Sequence, residues 1–129
     1  MTVFATMEFL SQVEQINSKS KKFSQIIRAK ITKMIREGNH ISSDNIYGSC
    51  NNFSCRKKKV ALVNGAFKII LIVSIKDDIL VLNSIYAKSD KIDLNTQEYN
   101  KVRSSFDSFC ADLGLFIAQE TEKYELCKE

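Results

Sequence analysis

The segment 56–94 constrains the fold most, because three β-rich runs follow one another within it. It opens with the basic residues RKKK at 56–59. The three runs are VAL at 60–62, FKIILIV at 67–73 and ILVL at 79–82, and the last continues to residue 88. Turn-forming residues separate the runs, first Asn64-Gly65 and then Lys76-Asp77-Asp78. Such runs joined by such turns predict an antiparallel meander.

Three segments outside the meander have the hydrophobic spacing of helices. The predicted helices lie at 9–17, 20–37 and 96–113, and a predicted strand at 2–7 precedes them. Ser18 or Ser20 is expected to cap the second helix, and Gly38 to end it. Asn95, followed by Glu98 three residues later, resembles a capping box at the start of the third.

The C-terminal part of the chain is acidic, whereas the rest is basic. Residues 112–129 contain five acids against two lysines, a net of −3, so the first 111 residues carry +7 although the whole chain carries only +4. Gly114 is expected to end the third helix, and 115–129 to form an acidic extension with a short helix or strand. No proline, repeat or low-complexity segment divides the chain, so we expect one domain over 1–129.

The element order β-α-α-β-β-β-α predicts an α+β fold. We expect a small antiparallel sheet of about four strands, with the N-terminal helices packed on one face and a helix following at the C-terminal end. The loop 38–53 is rich in Gly, Asn and Ser, with at most a brief strand at 45–47. The other face of the sheet is then expected to be open.

The cysteines and the histidine do not have the spacing of a metal site. The cysteines at 50, 55, 110 and 127 form no C-x-x-C pair, and His40 is the single histidine, so no metal or other cofactor is expected. No basic leader follows Met1, and no apolar run reaches membrane-spanning length. A cytoplasmic, reduced location without a membrane partner is the simplest interpretation.

Motifs within 46–94 resemble the RelE/ParE superfamily of bacterial type II toxins, most closely its RelE-like and HigB-like branch. The matching stretches are IYGS at 46–49, similar to the I-x-G-T before the family's basic strand, NGAFKII at 64–70, similar to G-G-x-R-[VI]-[IL]-Y, and IYAKSDKIDL at 85–94, similar to [LI]-Y-x-K-x-[ED]-x-x-D-L. The element order over 2–112 resembles that family as well.

The chain departs from the family pattern at three places. The family usually has arginine where Lys68 stands and aromatic residues where Ile70 and its neighbours lie, and its basic strand is offset here. Without a gap, the family's Arg/Lys pair falls on Ser54-Cys55; with a shift of two residues, it falls on Arg56-Lys57 and Lys59. We favour the shift, because only then do the cations lead directly into the apolar run 60–62.

The resemblance implies a toxin of a bacterial type II toxin-antitoxin system, an mRNA interferase that inhibits translation. Such an endoribonuclease cleaves mRNA, on the ribosome or free of it, and a cognate antitoxin protein neutralises it. Cleavage without a metal uses the 2′-hydroxyl as the nucleophile, so the protein must accept its proton, stabilise the phosphorane and protonate the leaving oxygen. The expected catalytic residues are Lys57, Lys59, Lys68, Tyr86 and Lys88.

Strand alternation divides the cations at 56–59 between two faces. We assign Lys57 and Lys59 to the open face, and expect Arg56 and Lys58 on the other face to contribute to RNA binding. Lys30 and Lys33, on the polar face of the second helix, either add positive field for RNA or are simply solvated.

Structural roles for these residues remain open alternatives. A run of cations often protects the edge of an apolar strand, and a tyrosine such as Tyr86 is often only half-buried packing. His40 lies in the polar loop as a lesser candidate, while Asp90 and Asp93 suit a turn and a helix start.

Two other functions are compatible with the same family resemblance. One is a ParE-like inhibitor of DNA gyrase, although that branch does not need the basic strand or the Tyr86-Ala87-Lys88 motif. The other is a non-catalytic RNA-binding relative, since a lysine at position 68 lacks the bidentate fork of arginine for phosphate.

Overall fold

The computed structural model describes residues 1–41, 43–50, 52–62, 65–91 and 93–128, without the side chains of 48–50. The elements in chain order are β1 (Thr2–Thr6), α1 (Met7–Lys19), α2 (Phe23–Arg36), β2 (Asp44–Cys50), β3 (Phe53–Leu62), β4 (Gly65–Ser74), β5 (Ile79–Ala87), α3 (Thr96–Ala111), α4 (Leu113–Glu120) and β6 (Thr121–Lys123). The predicted α+β class is confirmed. None of the helices in these ranges is both long and apolar enough to cross a membrane.

The strands form one mixed sheet in the order β2-β3-β4-β5-β1-β6. The predicted meander is present as β3, β4 and β5, but the expectation of about four antiparallel strands is wrong. Within the described residues the sheet has six strands, and β1 lies parallel to β5. The long α1–α2 connection after β1 frees that strand from pairing with its chain neighbour β2. At one edge β2, which is longer than the expected brief strand, pairs with β3. At the other edge the short β6 pairs with β1.

One face of the sheet packs against α1 and α2. The apolar stripe of α2, including Phe23, Ile27 and Ile31, is buried there with Ile69 and Leu71 of β4. Together with Phe9 and Val13 of α1, these residues form the first hydrophobic core. The N-terminal helices therefore cover one face, as the sequence predicts.

The second face packs against α3 and α4, so the expectation of an open face is wrong over most of its length. Phe106, Phe109 and Phe116 of these helices are buried with Ile70 and Ile72 of β4. The physical reason lies in β4 itself, whose run of residues 69–73 is apolar at consecutive positions rather than alternating. A strand that is apolar on both sides needs a helix layer on each face.

A β-bulge at Asn83 controls the direction of the side chains at the end of β5. Leu71 pairs with Leu82, and Ile70 pairs with Ser84, so Asn83 is the extra residue. Its amide Nδ2 donates to Ser105 Oγ of α3 at 2.8 Å, and its carbonyl accepts from Thr6. Because of the bulge, the side chains of Ser84 and Tyr86 face α3.

The helix starts partly agree with the sequence. The capping box of α3 is confirmed, since Asn95 Oδ1 accepts from the Glu98 backbone at 2.8 Å and Glu98 accepts from the Asn95 backbone. The expected serine cap of α2 is wrong: Lys22 stands at the N-cap with φ 70 and no side-chain cap. Ser20 instead ends α1. Gly38, with φ 71, follows α2 as predicted.

The C-terminal extension folds back onto the first core. Gly114 does not end α3, because Asp112 terminates that helix and caps α4, which contains the glycine. After β6, Tyr124 is buried against the α1–α2 core, and Arg28 lies over its ring at 5.1 Å. The expected short helix or strand at 115–129 is therefore present as both α4 and β6.

Candidate functional site

The candidate site is built on a cross-strand row of three residues. Lys59 of β3 pairs with Lys68 of β4, and Lys68 pairs with Tyr86 of β5. Directly opposite residues of antiparallel strands project from the same face of a sheet. The structure therefore brings together three of the five predicted catalytic residues, on the face that also carries α3.

Lys88 joins this row from the end of β5. Its backbone nitrogen donates to the Ala66 carbonyl at 2.9 Å, which continues the strand pairing just past the last residue of β5. The positive charge of Lys59, reinforced by that of Lys68, lowers the pKa of the exposed Lys88 ammonium. We call Lys59, Lys68 and Lys88 the lysine cluster.

The lysine cluster lies where the α3 layer stops covering the sheet. Tyr86 is buried in the second core with Val102, and Leu94 packs against that core. Beyond it, Lys59 and Ala61 are exposed, and Ala66 is half-buried. Ala61 and Ala66 pair with each other on the same face, so the residues next to the lysines there have small side chains.

Tyr86 presents a buried hydroxyl at the inner end of the row. Its side chain is 7% exposed, and its Oη makes no hydrogen bond of normal geometry among the described residues, although the Asp93 carboxylate lies near enough to interact with it. Burial raises the pKa of Tyr86 to about 12, with the charge of Lys57 opposing and that of Asp93 adding to the effect. The phenol is therefore protonated at neutral pH and can donate a proton but not accept one.

Lys57 lies on the same face but is held by acidic and phenolic partners. Its Nζ is 3.5 Å from Asp93 Oδ1 and 3.4 Å from Tyr99 Oη. Tyr99 in turn donates to Asp93, and this hydrogen bond is the main reason that the pKa of Asp93 lies below its usual value. Lys57 is thus partly neutralised, which separates it electrostatically from the lysine cluster.

Tyr99 is a site residue that lies within the predicted helix 96–113 and was not among the candidate site residues expected from the sequence. Its backbone carbonyl also accepts from Tyr47 Oη at 3.0 Å, which ties β2 to α3. Asp93 was expected to suit a helix start; it accepts from the Leu94 backbone at 2.8 Å, but the residue that caps α3 is Asn95. The position of Tyr99 could have indicated this role. Tyr99 lies four residues, about one helical turn, after the capping residue Asn95, and its hydroxyl reaches the Asp93 carboxylate just before the helix.

The residues expected to assist RNA binding lie on the other side of the sheet. Arg56 donates to the Ser43 carbonyl at 2.8 Å, and Lys58 pairs with Ile69 on the α1–α2 face. Lys30 and Lys33 are exposed on α2, which covers that same face. The structure does not bring these four cations together with the lysine cluster.

His40 lies apart from the lysine cluster as well. It is buried, and burial lowers the pKa of its imidazole, with the charge of Arg56 acting in the same direction. Neither ring nitrogen has a hydrogen-bond partner within the described ranges.

Two residues of the family-like motifs, Asn64 and Ile92, lie outside the described residues. The others outside them are Ser42, Asn51, Val63 and Glu129.

The environment of Cys55 does not activate its thiol. Burial raises the pKa of the Cys55 thiol to about 12, so it stays protonated in the second core. Across the described part of the chain, no three His, Cys, Asp or Glu side chains come together as a metal-binding group.

The row offers cations and one protonated hydroxyl on adjacent strands. Neighbouring strands lie about 4.8 Å apart, so the groups can contact one phosphodiester and its flanking atoms together. Such a set can neutralise a phosphorane and donate a proton, which are two of the requirements for transesterification of RNA.

No protein-family model matches the chain, and no curated protein matches it either.

Proposed function

We propose that this protein is a metal-independent endoribonuclease that cleaves mRNA. Its cellular role is that of the toxin of a type II toxin-antitoxin system, acting in the cytoplasm on translated mRNA and neutralised by a cognate antitoxin. The observation that carries the proposal is the row Lys59–Lys68–Tyr86 with Lys88 beside it. The resemblance of the motifs at 46–94 to RelE-like toxins supports it.

The reaction transfers the phosphate from the 5′-oxygen to the neighbouring 2′-oxygen. The 2′-hydroxyl attacks phosphorus and gives its proton to a base, the P–O5′ bond breaks, and the leaving oxygen takes a proton. The products are a 2′,3′-cyclic phosphate and a 5′-hydroxyl. No oxidant or other co-reactant is needed.

Each group of the site suits one of these steps. Lys88 is the base, because the neighbouring cations lower its pKa and so raise its neutral fraction. Lys59 and Lys68 face the non-bridging oxygens, where negative charge grows in the transition state. Tyr86 is protonated at neutral pH and donates to the leaving 5′-oxygen.

The test combines an RNA assay in vitro with primer extension on cellular mRNA after induction. Removing one preorganised donor from an oxyanion site costs about 10²–10³ in rate, so Lys59→Gln and Lys68→Gln should each slow cleavage by about that factor. Lys30→Gln and Lys33→Gln remove the same charge on the α2 side and should cleave as the wild type does. Wild-type rates in both cluster variants, or an inactive wild type, would refute the proposal.

Binding of RNA without cleavage is the second candidate function. Two features favour it: the Tyr86 hydroxyl is buried, and Lys57 is paired with Asp93, so neither is presented openly to a substrate. In that case the cluster variants should lower RNA affinity and reduce its salt dependence, by about 0.7 in the log–log slope for each lost phosphate contact. Unchanged mRNA with loss of DNA supercoiling on induction would instead favour the gyrase inhibitor.

A further inference from the structure

A cavity of about 270 Å³ lies between α1 and α3, beyond the free edge of β5. Gln12 and Ile16 line it from α1, Ser84 and Tyr86 from β5, and Leu94 and Val102 from the α3 side. It exists because β1 ends at Thr6, so the last part of β5 has no neighbouring strand on that side. Gln12 partly replaces that strand by accepting a hydrogen bond from the Ile85 backbone at 2.8 Å.

Ser84 and Tyr86, which line this cavity, each have a hydroxyl oxygen that is buried without a hydrogen-bond partner of normal geometry. Among the described residues, Ser84 is 6% exposed and Tyr86 is 7% exposed. Native structures rarely bury a polar group unpaired, and each exception needs an explanation, of which a bound water or ligand is one. Since Ser84 and Tyr86 alternate along β5, both side chains project from the same face of the sheet.

The chemistry of the cavity suits a neutral, planar ligand with donors and acceptors. Its charged residues are of both signs: Glu8, Asp90 and Glu98 against Lys91 and Lys101, with Lys91 paired to Glu98. A free anion is therefore not favoured here, unlike at the lysine cluster. Apolar side chains that flank hydroxyl and amide groups are the usual environment of an unstacked nucleobase.

The cavity adjoins the lysine cluster through Tyr86. Tyr86 lines the cavity and is also the cross-strand partner of Lys68, one strand spacing of about 4.8 Å away. A nucleotide whose phosphate contacts the lysines can therefore extend its base past Tyr86 towards Ser84. The cations and the cavity then hold two parts of the same ligand.

We propose that this cavity is a nucleobase pocket, which binds one unpaired base next to the phosphate held by the lysine cluster. The inference rests on the proposed function for its substrate, RNA, and extends it by assigning the nucleotide preference to Ser84 and its surroundings. Ser84 is a specificity residue here and takes no part in the chemical step.

The binding test uses nucleosides, which lack phosphate and so do not engage the lysines. We expect saturable amide shifts at Ser84 and Val102 when ¹⁵N-labelled protein is titrated with adenosine, cytidine, guanosine and uridine in turn, with unequal affinities for the four. A hydrogen bond contributes enough that Ser84→Ala should weaken the preferred nucleoside roughly threefold to tenfold. Ser104→Ala, the same change at an exposed serine of α3, should bind as the wild type does.

A second readout separates a binding role from a purely structural one. The Ser84 hydroxyl has no hydrogen-bond partner among the described residues, so Ser84→Ala should be at least as resistant to urea as the wild type. Weaker nucleoside binding with lower stability would mean that the serine supports the fold, and that result would overturn the proposal. A cavity filled by water alone would give no saturable shifts, which would overturn it too.

The cleavage profile distinguishes failure of the pocket from failure of the nuclease. On a mixed-sequence RNA, Ser84→Ala should change the relative use of cleavage sites while cleavage continues. Cleavage with an unchanged profile, together with no nucleoside binding, overturns the pocket and leaves the nuclease standing. Nucleoside binding at Ser84 by a protein that never cleaves RNA supports the pocket and rejects the nuclease.

Discussion

Replacing Phe109 by alanine tests whether α3 covers the second face of the sheet. This coverage matters for function, because it confines any RNA site to the open end at the lysine cluster. Phe109 is 0% exposed in the second core. Its ring meets Phe53 edge-on at 4.9 Å and Phe116 at 5.5 Å, so one side chain joins α3 to β3 and to α4.

The expected cost follows from these contacts. Removing a buried phenylalanine side chain costs about 3–5 kcal/mol, and two edge-to-face contacts place this residue near the upper end of that range. A domain of this kind is stable by about 5–15 kcal/mol, so Phe109→Ala should remove a large fraction of the free energy of unfolding. At a denaturant slope of about 2 kcal/mol/M, the midpoint in urea should fall by roughly 2 M.

Urea unfolding followed by far-UV circular dichroism measures the change, with Leu115→Ala on α4 as the control. Leu115 is 51% exposed, so its truncation should shift stability by no more than about 0.5 kcal/mol. If Phe109→Ala costs less than about 1 kcal/mol, the ring is not buried as described. The second face would then be open, as the sequence alone suggests, and the site would extend along β4.

Three further perturbations test other parts of the structure. Replacing Lys59 by glutamine removes the main cause of the lowered Lys88 pKa, so this pKa rises and the limb of the pH–rate profile that reports the base should move to higher pH. Asn95→Ala breaks the capping box of α3 and should cost about 1 kcal/mol in urea unfolding. Gly38→Ala, at φ 71, should cost about 1 kcal/mol in the same assay, and a cost near zero would contradict the αL geometry.

Local chemistry made several features predictable from the sequence. The capping box at Asn95 and the glycine after α2 depend on residues a few positions apart, and both are present. The shared face of Lys59, Lys68 and Tyr86 follows from strand alternation and from the short turns of the meander. Such features are decided within one or two neighbouring elements.

The features that the sequence did not predict depend on partners far along the chain. The parallel pairing of β1 with β5 joins residues 77 positions apart, as Thr2 and Ile79 show. The covering of the second face depends on which side of the sheet receives α3, and the amphipathic pattern of a helix does not specify this. The pairing of Lys57 with Asp93 depends in turn on where α3 begins.

The placement of the lysines itself argues for an anionic partner. Like charges directly opposite one another on neighbouring strands destabilise a sheet, yet Lys59 stands opposite Lys68, and Lys88 is close enough for its pKa to fall. Lys57, on the same face, is paired with Asp93. A strand that needed only protection from aggregation would be served by one exposed lysine at its edge. Three lysines at one end of the sheet concentrate positive potential there, and an anion bound by them, such as the phosphodiester of the proposed RNA substrate, would reduce the repulsion.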